Sequence, residues 1–158
     1  MYRAMLVAFA ALATAAAAQD SKNPARSGKR SLLPRAQEIA LARSAAPGAV
    51  SDSATIWVFT DTGYVVGATG SSGAGCYVSR SWPKSIEPHC FDPEGAATVM
   101  RLEMKEVELL HRGLSVDEVD RLIGADLAAG KFRLPRRPAL SERYKEKARV
   151  GPRAGVPG

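Results

Sequence analysis

The pattern of apolar and polar residues predicts a β-rich segment in the middle of the chain. Ile56 to Phe59 is a run of β-branched and aromatic residues, and the Asp61-Thr62-Gly63 sequence that follows it is a turn signal. Tyr64 to Val66 is predicted as the returning strand, and Cys76 to Arg80 as a third strand beyond a glycine-rich turn. Because the connections are short, we expect the strands to run antiparallel, as a meander of three or four strands.

Helical periodicity is present on both sides of this segment. Pro34 suits the first turn of a helix that ends before Pro47-Gly48. Asp92, an N-cap residue followed by proline, starts a second helix, and Ser115 starts a third with the capping-box partner Glu118. The sequence therefore predicts an α+β fold in which the small antiparallel meander is covered on one face by helices near residues 34–45, 93–112 and 115–129.

The first 18 residues have the layout of a secretory signal peptide. A basic start at Arg3 precedes the apolar run Ala4 to Ala13, and Ala16-Ala17-Ala18 matches the small-residue cleavage rule, with Gln19 as the first mature residue. A buried alanine-rich helix is the alternative, but no cap precedes the run. We therefore expect an exported protein, periplasmic or secreted, with no transmembrane segment in the mature chain because the apolar run is too short.

Composition divides the rest of the chain into three parts. We expect a flexible basic leader over 19–33, a single domain over 34–130, and a basic, Pro/Gly-rich and largely disordered tail over 131–158. The net charge of +6 is the sum of unlike contributions, since residues 44–130 carry −6 and residues 131–158 carry +7. The predicted domain is therefore acidic, although the whole chain is basic.

The basic tail allows two interpretations. It could bind an anionic surface weakly, or it could rest loosely on the acidic domain as a solvated arm, and we favour the second. Nucleic acid is not expected as a partner, because no aromatic residues alternate with the basic ones. The tail cations considered for surface binding are Arg136, Arg137, Arg143, Lys145, Lys147 and Arg149.

The two cysteines, Cys76 and Cys90, predict one disulfide. An even pair in an exported protein is usually oxidised, and this bridge would tie the third strand to the first long helix. A metal site that also uses His89 is the alternative, but it offers only three ligands and lacks paired C-x-x-C spacing. No metal or cofactor is predicted.

Three further residues are candidates for a functional site. Glu103 falls inside the apolar stripe of the second helix, where a buried carboxyl would have a raised pKa. We favour the alternative, in which the stripe is rotated slightly and Glu103 lies at its margin. His89 is interpreted as a loop histidine that shields the disulfide, with ligand binding as the alternative. Tyr64 could join these two residues in a pocket between sheet and helices.

Two hypotheses of function follow. No assembled set of nucleophile, base and oxyanion donors is visible, and the glycine turn Gly70 to Gly75 matches neither a hydrolase elbow nor a dinucleotide loop. The first hypothesis is therefore a non-catalytic, exported binding or envelope-associated module. The second is a small-ligand carrier or enzyme whose pocket involves Glu103.

Several segments between residues 36 and 130 together resemble a group of small exported bacterial proteins of unknown function. These segments are Glu38 to Pro47, Gly63-Tyr64, the glycine turn leading to Cys76, and Cys90 to Gly95. The resemblance implies export but no activity. The chain departs from the group in the glycine turn, which lacks an Asn and an aromatic residue near the cysteine, and in its C-terminal segment from Ser141.

Overall fold

The computed structural model describes residues 26–143 and contains a five-stranded mixed sheet that is not closed, with five helices. The strands are β1 (Thr55–Thr60), β2 (Gly63–Ala68), β3 (Gly75–Ser79), β4 (Glu87–Phe91) and β5 (Ser141–Arg143). The helices are α1 (Arg35–Arg43), α2 (Gly48–Ser51), α3 (Pro93–Ala97), α4 (Val99–His111) and α5 (Val116–Ala128). The α+β class predicted from the sequence is confirmed.

The sheet order is β2-β1-β3-β4-β5, and one pair of strands departs from the predicted antiparallel meander. β2 runs antiparallel along one edge of β1. The chain then passes the start of β1 and enters β3, which lies along the opposite edge of β1. β1 and β3 are therefore parallel, with Ile56 opposite Cys76. The crossing requires Gly70, because a Cβ at this position would approach the Ala54 backbone to 2.2 Å.

The segment after β3 is more regular than the sequence predicts. Where His89 is interpreted from the sequence as a loop residue, the segment forms β4, which is antiparallel to β3. Among residues 26–143, β5 pairs with β4 at residues 89–91. Within the described part of the chain, no strand pairs with Pro88 on the side away from β3, which suits a residue that has no N–H to donate.

Helices cover both faces of the sheet, whereas the sequence predicts cover on one face. α1 packs on the side chains of Ile56, Cys76 and Val78, and α4 packs on those of Phe59 and Tyr77 on the opposite face. The physical reason is that consecutive positions of β1 and β3 are apolar, so both faces of the central strands must be buried.

The predicted helix over 93–112 is divided into two. Asp92 caps α3 as expected and accepts the Gly95 N–H, but the backbone leaves helical geometry at Thr98. The Thr98 hydroxyl donates to the Glu94 carbonyl at 2.6 Å, a local hydrogen bond that competes with regular helix geometry. The capping box of Ser115 and Glu118 at the start of α5 is confirmed.

Ordered structure extends beyond the predicted domain limits of 34 and 130. On one side, the Gly28 N–H donates to the Leu110 carbonyl at 3.0 Å, and on the other the Asp92 N–H donates to the Leu140 carbonyl at 3.1 Å. The predicted signal peptide and residues 144–158 lie outside the described residues. Within residues 26–143, no helix combines the length and apolarity needed to span a bilayer.

Candidate functional site

A cleft of about 160 Å³ opens between the sheet and α4. The end of β3 and the middle of β4 form its floor, α4 forms one wall, and the tail strand β5 contributes one side chain. All but one of its lining residues have polar side chains, which bring two carboxylates, a guanidinium, an imidazole and two hydroxyls together in a small volume. Its polar lining consists of Ser79, Ser81, His89, Glu103, Glu106 and Arg143.

His89 lies on the floor of the cleft, where its side chain is 2% exposed. Its Nδ1 is 3.4 Å from the Glu103 carboxylate and its Nε2 is 3.8 Å from the Glu87 carboxylate. Neither nitrogen makes a hydrogen bond of acceptable geometry within residues 26–143. His89 is thus a buried imidazole with two carboxylates nearby and no hydrogen-bond partner in the part of the chain that the structure describes.

The predicted role of His89 as a loop residue that shields the disulfide is wrong. Side chains alternate between the faces of a strand, so His89 and its neighbour Cys90 in β4 point to opposite faces of the sheet. Cys90 packs in the cluster beneath α1, whereas the ring of His89 lies edge-on to Tyr77 on the α4 face.

Glu103 stands on α4 at the margin of the cleft, with its side chain 25% exposed. It accepts a hydrogen bond from the Tyr77 hydroxyl, and Nη2 of Arg143 lies 3.3 Å from its other oxygen. Burial opposes ionisation, but His89, Tyr77 and Arg143 outweigh it and lower the pKa of the carboxyl. The lowered pKa is opposite to that of the buried alternative, because the carboxyl lies at a partly exposed margin, as favoured from the sequence, rather than among apolar atoms.

Tyr77 and Arg143 are site residues that the sequence does not reveal. Tyr77 is fully buried, and desolvation together with Glu103 raises the pKa of its hydroxyl well above the usual value. It therefore donates to Glu103 as a neutral phenol. The signal that would identify both residues is the strand register, which sets Tyr77 beside His89 and His89 beside Arg143.

Tyr64, the third candidate, is not part of the cleft lining. Its hydroxyl donates to the Val78 carbonyl at 2.7 Å, and its N–H donates to Glu108 at 3.0 Å. Burial raises the pKa of the hydroxyl. Tyr64 thus occupies a satisfied position within the core, in edge contact with Tyr77.

The disulfide between Cys76 and Cys90 is confirmed, with the two sulfur atoms at bonding distance. The two residues lie directly opposite each other in the register of β3 and β4. The bridge therefore joins two neighbouring strands, and not a strand and a helix as predicted. It ties together the two strands that carry Tyr77 and His89.

The described part of the tail rests on the acidic domain. Glu94 of α3 lies 3.0 Å from Nη1 of Arg133 and 3.6 Å from Nε of Arg137, and it accepts the Arg136 N–H at 2.9 Å. That N–H, followed by the arginine side chains, lowers the pKa of Glu94 against the effect of burial. Among the cations considered for surface binding, Arg137 and Arg143 contact carboxylates of the domain, and Lys145, Lys147 and Arg149 lie outside the described residues.

The chemistry available in the cleft is that of hydrogen bonding and charge pairing. Neither Ser79 nor Ser81 is hydrogen-bonded to His89, so the structure does not align a hydroxyl with a base. Within residues 26–143, no three His, Cys, Asp or Glu side chains converge as metal ligands. Comparisons with protein-family models, with curated proteins and with solved structures find no match to this chain.

Proposed function

We propose that this is an exported, non-catalytic binding protein that holds a small polar molecule in the cleft beside His89. The observation that carries the proposal is the imidazole itself, which is buried and has no hydrogen-bond partner on either nitrogen among the described residues. An unsatisfied buried polar group costs about 1–3 kcal/mol, so a position of this kind requires an explanation. A bound molecule that completes these hydrogen bonds would provide one.

The setting of His89 supports binding over a purely structural role. The residue lies at an open cleft that contains two acids, an arginine and two serines, rather than inside a filled apolar core. Concave sites with a few convergent polar groups are the usual form of small-molecule sites. Binding is favoured over catalysis because the serine hydroxyls are not engaged by the imidazole.

The proposed export rests on the alanine-rich N-terminus and agrees with the single disulfide. Expression of the full chain in a bacterium and intact-mass analysis of the purified protein test it. We expect a mature protein that begins at Gln19 and carries the disulfide. A mass that retains residues 1–18, or two free thiols, would contradict export.

Amide-detected NMR of the ¹⁵N-labelled protein tests the binding proposal. The probes are ethanolamine, ethylene glycol and glycolate, three molecules of four or five non-hydrogen atoms that differ chiefly in charge. We expect at least one probe to shift the amides of Ser79, His89 and Glu103 in a saturable manner. If none of the three does so, the proposed function is wrong.

A matched pair of variants makes the result specific. His89→Gln should abolish the shifts, whereas His111→Gln, at the other buried histidine and outside the cleft lining, should preserve them. Equal loss in both variants would show that the shifts report general loosening of the fold rather than occupancy of the cleft.

A further inference from the structure

We infer that the molecule held beside His89 is a small primary amine, bound as its ammonium ion. This inference rests on the proposed function, since it names the chemical class of ligand for the same cleft. The geometry that points to it is an imidazole placed between two carboxylates, neither of which is in hydrogen-bond geometry with the ring nitrogens among the described residues.

The hydrogen-bond balance around the His89 imidazole favours a ligand that donates hydrogen bonds. A neutral imidazole has one donor nitrogen and one acceptor nitrogen. Glu103 lies 3.4 Å from Nδ1 and Glu87 lies 3.8 Å from Nε2, so whichever nitrogen is the acceptor lies near a carboxylate that is also an acceptor. In that neutral form, two acceptors would face each other, and a donor between them would satisfy both. An ammonium group offers three N–H donors and can bridge them.

The Glu103 carboxylate can accept more hydrogen bonds than the described contacts use. Its two oxygens together provide about four acceptor positions, and the described contacts use one for the Tyr77 hydroxyl and one for Arg143. The lowered pKa keeps the carboxyl ionised at neutral pH, because the surrounding donors favour its charged form. Glu103 can therefore accept a further charge-assisted hydrogen bond from the ligand.

The balance of charges around the cleft favours a cationic ligand. Three carboxylates, those of Glu87, Glu103 and Glu106, lie on or next to the cleft, and the guanidinium groups of Arg26 and Arg143 pair with two of them. Among residues 26–143, the Glu87 carboxylate has no guanidinium or ammonium partner. This balance favours a cation over a neutral polyol, and it disfavours an anion.

The volume of the cleft limits the size of the ligand. Since one molecule of liquid water occupies about 30 Å³, a cleft of about 160 Å³ holds only a few non-hydrogen atoms. The ligand, or the part of it that enters, is therefore no larger than a short amine. Ethanolamine, ethylene glycol and glycolate suit the test because they present an ammonium, a hydroxyl and a carboxylate on similar two-carbon frames.

The test compares the dissociation constants of these three probes by NMR titration at neutral pH. We expect ethanolamine to bind at least about tenfold more tightly than ethylene glycol, with glycolate weakest, since hydrogen bonds to charged groups are the stronger ones. Glu103→Gln keeps the shape and an acceptor but removes the charge. It should weaken ethanolamine by about tenfold or more, and leave ethylene glycol nearly unchanged.

Glu142→Gln is the matched control, because Glu142 is an exposed acid on β5, beside Arg143, that does not line the cleft. It should bind ethanolamine as the parent does. If Glu103→Gln does not fold, Glu87→Gln at the rim takes its place with the same expectation.

Four outcomes would overturn the inference. Equal or tighter binding of ethylene glycol or glycolate would refute the amine class and leave the proposed function standing. Unchanged ethanolamine binding in Glu103→Gln, or equal weakening in Glu142→Gln, would also refute it. Binding of none of the three probes would refute the inference together with the function on which it rests.

Discussion

The two buried histidines of this protein have opposite surroundings. His111, at the end of α4, is 3% exposed, and its Nδ1 accepts the Arg30 N–H at 2.9 Å. Its Nε2 lies 3.4 Å from both Asp61 and Lys29. His89 is buried to the same degree and has no hydrogen-bond partner within residues 26–143. Burial alone therefore does not distinguish a site residue from a structural one; the unpaired nitrogens do.

The same contrast separates two acid–arginine pairs. Glu38 and Arg80 are at most 1% exposed, form a two-pronged ion pair, and are completed by the Phe59 N–H and the Ser31 carbonyl. Glu103 and Arg143 are 25% and 49% exposed and share a single 3.3 Å contact. The first pair is closed and structural, whereas the second is open and retains acceptor capacity.

Removal of one partner from each pair should give the largest difference. Arg80→Met leaves Glu38 buried without a counter-charge, so we expect a loss of about 3–5 kcal/mol in the free energy of unfolding. Arg143→Met acts on a solvent-screened pair, and we expect a loss below about 1 kcal/mol. Urea unfolding at neutral pH measures both values. Similar losses in the two variants would remove the distinction between closed and open pairs.

Leucine substitutions test the two histidines in the same assay. His111→Leu leaves the buried Arg30 N–H without its acceptor, and we expect a loss of about 1–3 kcal/mol. His89→Leu replaces an unpaired polar group by an apolar one, and we expect stability to be unchanged or increased. A loss at His89 as large as that at His111 would show that the His89 nitrogens are satisfied in the folded protein.

The smallest expected effect is the acid dependence of the open pair. The folded-state pKa of Glu103 lies below the ordinary value of 4.5, so its contribution to stability is complete above that value and is lost as the pH falls through the lowered pKa. Between about pH 5 and pH 3, Glu103→Gln should therefore lose less stability than the parent, by under about 1 kcal/mol. Parallel pH profiles for the two proteins would contradict the lowered pKa.

The parts of the fold that were predicted correctly depend on signals between near neighbours in sequence. Asp92 caps α3 and Ser115 caps α5 through contacts only three residues long. The Cys76–Cys90 bridge follows from the number of cysteines and the expected compartment. Such features require no knowledge of how distant segments meet.

The parts that were missed depend on pairings across the sheet. The parallel arrangement of β1 and β3 follows from the crossing at Gly70, which has no separate sequence signature. Pro88 disguises β4 as a loop, and with it the register that brings His89 to Tyr77 and Arg143. Glu38 and Arg80 are separated by 42 positions, and no periodicity links them.

The most direct test of this account is the ¹⁵N chemical shift of the histidine ring nitrogens during a titration with ethanolamine. The two buried histidines serve as site and control in one sample. We expect the Nδ1 and Nε2 shifts of His89 to move and saturate while those of His111 remain constant. Two results would contradict a ligand site at His89. One is that both ring nitrogens of His89 are protonated before ethanolamine is added and that their chemical shifts do not change. The other is that the shifts of His89 and His111 change equally.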